Sequence, residues 1–465
     1  MLARTALRGD EFVSRGLIPL PIDVDVNRLK EAWNTVIAET PVLRTRVVEF
    51  AGQGLLQVVT KSAVPWLEFG SLEQVTAITI RSGGPLLCFA LVKSSSESDT
   101  GSCGSAALLM TIHYAIYDRV ESIYRDKTPA VNLILYSRFI QYLVEKVDKD
   151  RCREFWTGYL ANLAAPQFPT LPNPKYQPIT NMTSKQDVQG INWPKDFTLA
   201  TTLKDAWAIL ISQYCNSYDV VFGSTVMGGQ SPLAGVELIA GPVIATVPIR
   251  VTMDWESLPL RTLLKDIHSA GTQMIPFEQY GLGRLQRLDS NGRQAYEFQS
   301  LLVIQPGDKD DSDNNILFLQ RSQDDIIGHM YPLVLECVFG GSSSVSSTDA
   351  VTLSLSFDDQ VFDAPQADRI LLQLEHILKE LCKHGDTMEK ISLSELDLLP
   401  GQDRQQIWTW NEILLETIDS RIDKFFTDRV SEQPNSVAIN AWDGQLTYRE
   451  LFYKARQLAY WLVME

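Results

Sequence analysis

The run Ile112-His113-Tyr114-Ala115-Ile116-Tyr117-Asp118 sets an imidazole, two phenols and a carboxyl at the end of an otherwise apolar stretch. An imidazole titrating near ~6.5 can take or give a proton at neutral pH, or orient an amine through a hydrogen bond. A phenol titrating near ~10 cannot act as a base there. The residues admit proton transfer or hydrogen bonding at His113, with Tyr114 beside it and Asp118 as a structural carboxylate. The plainer reading is a hydrogen-bonded core histidine, with Tyr114 lining a wall.

Positioning such residues takes a framework, and the pattern around them supplies one. Asp25 to Glu39 carries Leu29, Ala32, Trp33, Val36 and Ile37 at the i, i+3, i+4, i+7, i+8 spacing of an amphipathic helix. Val42 to Val48 alternates as a strand does. The apolar runs Pro85 to Val92 and Ala106 to Ile116 flank a Ser- and Gly-rich separator, Lys93 to Ser105, that reads as a mobile hairpin loop. Tyr136 to Leu163 is helical in pattern. Proline-rich Ala165 to Pro194 reads as a crossover to a second lobe.

That lobe opens on a helix with Leu203, Trp207, Leu210, Ile211 and Tyr214. Strand-like runs follow at Val220 to Val226, Val243 to Val251, Gln299 to Gln305, Tyr331 to Phe339 and Val351 to Phe357. A helix with Ile370, Leu374, Ile377, Leu378 and Leu381 closes it. Trp156 and Trp207 belong to the core by spacing, and Arg44 and Arg46 read as ordinary surface or inter-element ion pairs. After Pro400 the character changes. Thr447 and Glu450 make a capping-box pattern, opening a helix that stops at Glu465 and reads as the cut-off start of a further domain.

Bulk properties narrow the function. The 465 residues carry a formal net charge of −16, which disfavours nucleic acid and anionic membrane surfaces as partners. Six scattered cysteines and five histidines, without a CxxC pair, leave little for a zinc site and suit a reducing, cytoplasmic setting. No apolar stretch approaches the ~20 residues of a membrane span.

Several stretches, in order along the chain, carry a resemblance to one family. They are Thr40-Pro41-Val42-Leu43-Arg44-Thr45-Arg46, Ile112 to Asp118, Tyr136 to Ile140, Val221-Phe222-Gly223, Gly241-Pro242 with Thr246 to Arg250, Ile275 to Gln279, and Leu301 to Pro306. Together they resemble condensation domains of fungal-type nonribosomal peptide synthetases, Ile112 to Asp118 matching the HHxxxDG core. Ala441 to Gly444 with Leu446 to Leu451 resembles the opening motif of an adenylation domain.

The resemblance implies an α/β (α+β) fold of two chloramphenicol-acetyltransferase-like lobes forming a V with a central tunnel, followed by a truncated adenylation-domain stub. It implies an N-terminal lobe over 1–165, a C-terminal lobe over 166–395, a linker over 396–420 and the adenylation start over 421–465. The implied partners are upstream and downstream peptidyl carrier domains and an adenylation domain in cis. No cofactor is bound directly; the carriers' 4′-phosphopantetheine arms bring the substrates, and the acceptor amine attacks the donor thioester. His113, Tyr114 and Asp118 are the implied site.

Three departures fall on that constellation. Tyr114 stands where the family has its second, working histidine. Arg119 stands where the family has glycine, and about two helical turns, ~7 residues, are missing after it. Gly228-Gly229-Gln230 replaces an expected Gly-Arg-Gln, which would supply the arginine partner of Asp118. Two expectations follow: an amide-forming acyltransferase impaired in this copy, or a non-catalytic relic that docks carrier and adenylation domains. A stand-alone acyltransferase of the same fold is disfavoured by the stretch Leu446 to Leu451.

Overall fold

The computed structural model describes residues 13–20, 24–50, 54–70, 80, 83–93, 106–113, 116, 134–226, 233–236, 239, 241, 243–306, 331–339, 350–384, 388–413 and 420–464. They fall into two compact units, Met1–Pro400 and Gly401–Glu465.

The first unit starts with strand β1 (Val13–Pro19) and helix α1 (Val26–Glu39). Asp25 caps α1 by accepting the amides of Asn27 at 3.0 Å and Arg28 at 3.1 Å, satisfying donors that have no intrahelical partner. The helix ends before Pro41, as its sequence requires, and buries Trp33 and Ile37. The strand expected from Val42 begins only at Thr45. Pro41–Arg44 forms a single 3₁₀ turn instead, because Pro41 suits a first helical position, and β2 (Thr45–Phe50) then pairs with β3 (Gly54–Val59).

Arg44 is not an ion-pair residue. Its guanidinium donates to the carbonyls of Ile37 (2.9 Å) and Ala38 (3.0 Å) in the last turn of α1, and to Thr60 (3.0 Å). A cation at a helix C-terminus meets both the orphan carbonyls and the negative end of the dipole.

Strands β4 (Trp66–Phe69), β5 (Leu87–Lys93) and β6 (Ala106–His113) join β1 in a sheet of order β1-β6-β5-β4. The two apolar runs of the sequence are thus an antiparallel pair, Leu87 opposite Ile112. The Ser- and Gly-rich separator between them lies, for residues 94–105, outside the described residues. A first core fills the space beneath, with Trp33 and Trp66 both on Phe89 at centroid distances of 4.7 and 4.6 Å.

The helical stretch after residue 134 is two helices, α2 (Tyr136–Glu145) and α3 (Lys149–Tyr159). On α2, Phe139 packs with Val236, Ile239 and Val243. Gly241 permits the approach: its φ is +151°, and a Cβ there would collide with the Tyr136 ring. On α3, Cys152 and Trp156 pack into the larger core with Trp207 and Phe222.

The proline-rich stretch is more than a connector. Met182–Val188 forms β7, an edge strand on β12 that the apolar pattern could not reveal because most of its side chains stay at least partly exposed. Beyond it, α4 (Leu199–Cys215) is buried on nearly every side. It is followed by β8 (Asp219–Val226), β9 (Ala245–Thr252), α5 (Leu260–Met274), a 3₁₀ segment over Ile275–Tyr280, α6 (Leu282–Leu285) and α7 (Ser290–Tyr296). Then come β10 (Ser300–Pro306), β11 (Leu333–Phe339), β12 (Val351–Phe357) and α8 (Ala364–Lys383). The second sheet runs β7-β12-β11-β10-β8-β9, mixed because β10 is parallel to both neighbours.

Arg250 on β9 clamps α3 onto this sheet. Its Nε and one terminal nitrogen meet the two carboxylate oxygens of Asp219 on β8 at 2.9 and 2.8 Å. The guanidinium also donates to the carbonyls of Ala161 (2.7 Å) and Asn162 (3.0 Å), just past the end of α3. Tyr159 joins, its hydroxyl accepting the Arg250 amide at 2.8 Å.

The second unit holds α9 (Gly401–Trp410), α10 (Ile422–Glu432), the hairpin β13 (Val437–Ala441) and β14 (Gly444–Thr447), and α11 (Tyr448–Met464). The capping box is formed, Thr447 donating its amide to Glu450 at 2.8 Å and Glu450 returning its own at 3.3 Å.

Removing the Arg250 side chain strands a largely buried carboxylate. Arg250→Ala is expected to cost about 3–5 kcal/mol in urea unfolding. Arg250→Lys should restore less than half, since an ammonium lacks the fork that spans Asp219 and two carbonyls.

Candidate functional site

His113 is the last residue of β6, paired with Val13 of β1. Its amide donates to the Leu86 carbonyl at 2.9 Å, and its own carbonyl accepts the amide of Ile116 at 3.0 Å. The residue is 0% exposed. Burial disfavours the imidazolium and pushes its pKa down to about 4. At neutral pH the ring is uncharged, with one nitrogen able to accept a proton or hydrogen bond. Tyr114 and Asp118 lie outside the described residues, as do 228–230, where the arginine partner of Asp118 was sought.

A second group of titratable residues escaped the sequence reading. The 3₁₀ segment Ile275–Tyr280 is a junction: its Phe277 carbonyl accepts from Trp156 Nε1 at 3.2 Å, and Gln279 donates to Val243 at 2.9 Å. Phe155 stacks on Phe277 at 4.3 Å. Between them, Glu278 has its pKa raised by burial to about 7, with Lys204 of α4 acting against the shift. Burial in turn lowers Lys204, with Glu278 opposing.

Next to Lys204, Asp205 is 0% exposed, and neither carboxylate oxygen has a hydrogen-bond partner. Desolvation raises its pKa well above the usual value, favouring the protonated form. The signal for these residues was legible as Lys204-Asp205 interrupting the otherwise apolar run Leu203 to Ile211.

Among the described residues no group of three or more His, Cys, Asp or Glu could hold a metal ion, and no helix is long and apolar enough to cross a membrane. A neutral imidazole at a strand end can transfer a proton or hold a hydrogen bond.

The comparisons with known proteins fit that geometry. The condensation domain family model matches residues 105–408, starting just before β6. The chain is 33% identical over 486 residues to the nonribosomal peptide synthetase ungA of Aspergillus violaceofuscus, covering 100% of this chain and 5% of that protein. It is 31% identical over 476 residues to the N-benzoylphenylalaninol synthetase apmA of Penicillium brevicompactum, covering 100% of this chain and 19% of that protein. The chain thus spans a small part of these relatives' length.

Among solved structures, the starter condensation domain of the rhizomide synthetase RzmA superposes with a TM-score of 0.59 at 15% identity, over 84% of this chain and 96% of that one. The four-domain nonribosomal peptide synthetase AB3403 gives 0.63 at 17% identity, over 95% of this chain and 36% of that one. These likenesses establish a shared mixed α/β fold. With the family model covering well over half of the chain, this protein belongs to the condensation domain family, in the company of fungal nonribosomal peptide synthetases.

Asp205 supplies a direct check on the electrostatics. A carboxyl whose folded pKa is raised holds its proton in the native state after the unfolded chain has lost it, so its contribution to stability falls as pH climbs above about 3.9. Urea-unfolding free energies between pH 4 and 8 should show Asp205→Asn gaining steadily on the unmodified protein as pH rises. A difference constant with pH contradicts the assignment.

Proposed function

We propose that this chain is a condensation domain of a nonribosomal peptide synthetase that joins a carrier-tethered aminoacyl or peptidyl thioester to a carrier-tethered amine, and that this copy does so poorly. The observation that carries the reading is the match of residues 105–408 to the condensation family, which includes His113 in its first strand. His113, Tyr114 and Asp118 are the proposed site. Upstream and downstream carrier domains, presenting 4′-phosphopantetheine arms, are the proposed partners.

The proposed arrangement is two lobes in a V around a tunnel, residues 1–165 and 166–395, with a linker over 396–420. Residues 421–465 are proposed as the start of an adenylation domain lying in cis; the stretch Leu446 to Leu451 and its capping box support this.

The reaction asks for little covalent work by the protein. The amine nitrogen attacks the thioester carbonyl, the thiolate leaves on the donor arm, and one proton passes from nitrogen to sulfur. Holding both arms in near-attack geometry provides most of the rate, and a general base adds ~10²–10⁴. The phenol of Tyr114 cannot supply that base at neutral pH. His113 is 0% exposed, which disfavours direct contact with a carrier-borne amine. That burial also favours a second reading, a domain that docks carrier and adenylation domains without catalysing.

Mass spectrometry of two loaded carrier domains tests both. Transfer of the aminoacyl group should run about 10²–10⁴ slower than in an intact condensation domain. Tyr114→His alone should recover little, because the turns after Asp118 are also missing. Transfer at the rate of an intact domain would overturn the impairment, and no transfer above background would favour docking alone.

A further inference from the structure

Away from β6, the start of α3, the end of the 3₁₀ junction, α6 and the residues just after α6 border a depression of about 200 Å³ lined by Lys149, Arg153, Tyr280, Arg284, Arg287 and Leu288. Four of these six side chains are cations, in a chain whose formal net charge is −16. Lys149 and Arg153 stand one turn apart on α3, and Arg284 and Arg287 stand one turn apart across α6, so each pair repels itself.

No carboxylate relieves that repulsion. Among the described residues, none of the four takes part in an ion pair. The acids next to them in sequence are occupied elsewhere or make no such pair. Asp148 accepts the amides of Asp150 and Arg151 as the cap of α3. Asp289 accepts the amide of Gly292 as the cap of α7. Asp150 and Glu154 pair with none of the four.

The floor is pre-organised. Tyr280 is buried, and Arg284 donates to its carbonyl at 3.0 Å while lying 5.9 Å from its ring centroid. One of the five N–H donors of Arg284 is thereby committed, and its plane is fixed on an aromatic face. Converging guanidinium groups with donors to spare suit a tetrahedral oxyanion, which accepts from arginine two bonds at a time. The volume admits a phosphate with a few attached atoms and excludes a folded segment.

We propose that Lys149, Arg153, Arg284 and Arg287 form a binding site for a phosphate group, either free or carried on a pantetheine arm. The site is independent of amide formation, so a chain that condenses nothing would still bind phosphate here.

The test is calorimetric titration of the full chain at low ionic strength with inorganic phosphate, 4′-phosphopantetheine, pantetheine and a poly-glutamate peptide. Phosphate and 4′-phosphopantetheine should bind and pantetheine should not. Either double variant, Arg284→Gln with Arg287→Gln or Lys149→Gln with Arg153→Gln, should weaken binding by about tenfold or more. All four cations are exposed, so the variants should remain folded, with a cooperative thermal transition like that of the unmodified protein. Tighter binding of 4′-phosphopantetheine than of inorganic phosphate assigns the anion to the arm; equal affinities assign it to free phosphate. No phosphate binding, binding unchanged in both variants, or preference for the acidic peptide would overturn the proposal.

Discussion

The chelate of Asp219 by Arg250 is the constraint on which the larger core depends. It is largely buried, with side-chain exposures of 13% and 14%. Two charges in such surroundings are tolerable only when their remaining hydrogen-bonding capacity is met. Here the carbonyls past the end of α3 and the amide of Ala164 meet it. The chain leaving α3 is therefore held against β8 and β9. With α3 fixed, Trp156 and Phe155 reach the Ile275–Tyr280 turn, and that turn reaches back to Val243 and toward Lys204. One ion pair thus organises a helix, two strands and the junction that holds Glu278.

Three of the pKa shifts share one cause, the removal of water. Desolvation lowers the pKa of His113, raises that of Asp205 and thereby favours its protonated form, and raises that of Glu278 to about 7. The basic depression beside Tyr280 is the opposite case: its charges remain in contact with solvent and are poised toward it. The molecule thereby separates a water-poor interior, where proton affinities are displaced, from an exposed cationic surface where an anion can be met.

Much of this was legible from residue patterns. Amphipathic spacing located α1, α4 and α8, and the apolar runs located β5, β6, β8, β9, β10, β11 and β12, because each buries one or more continuous apolar faces. What escaped was set by backbone hydrogen bonds rather than by hydrophobicity. Strand β7 is an edge strand with largely polar side chains, and the turn at Pro41 displaced the start of β2. Arg44 was legible as a cation but not as the partner of two helix-end carbonyls and of Thr60, 6 to 16 residues away along the chain, which only the folded path brings near. His113 was legible as the end of the apolar run that forms β6. Its full burial was not, since that depends on the strands stacked on either side of β6. The cationic depression joins residues more than a hundred positions apart, and no local pattern announces it.

The central claim about the site is that β6 holds the His113 imidazole neutral in a water-poor setting. Its direct test is an NMR titration of the ring carbons and nitrogens of His113, assigned by comparison with His113→Gln. The account predicts that the ring stays neutral through physiological pH and titrates at about 4, if the protein remains folded that far. A ring that titrates near 6.5, as a solvent-exposed histidine does, would contradict it.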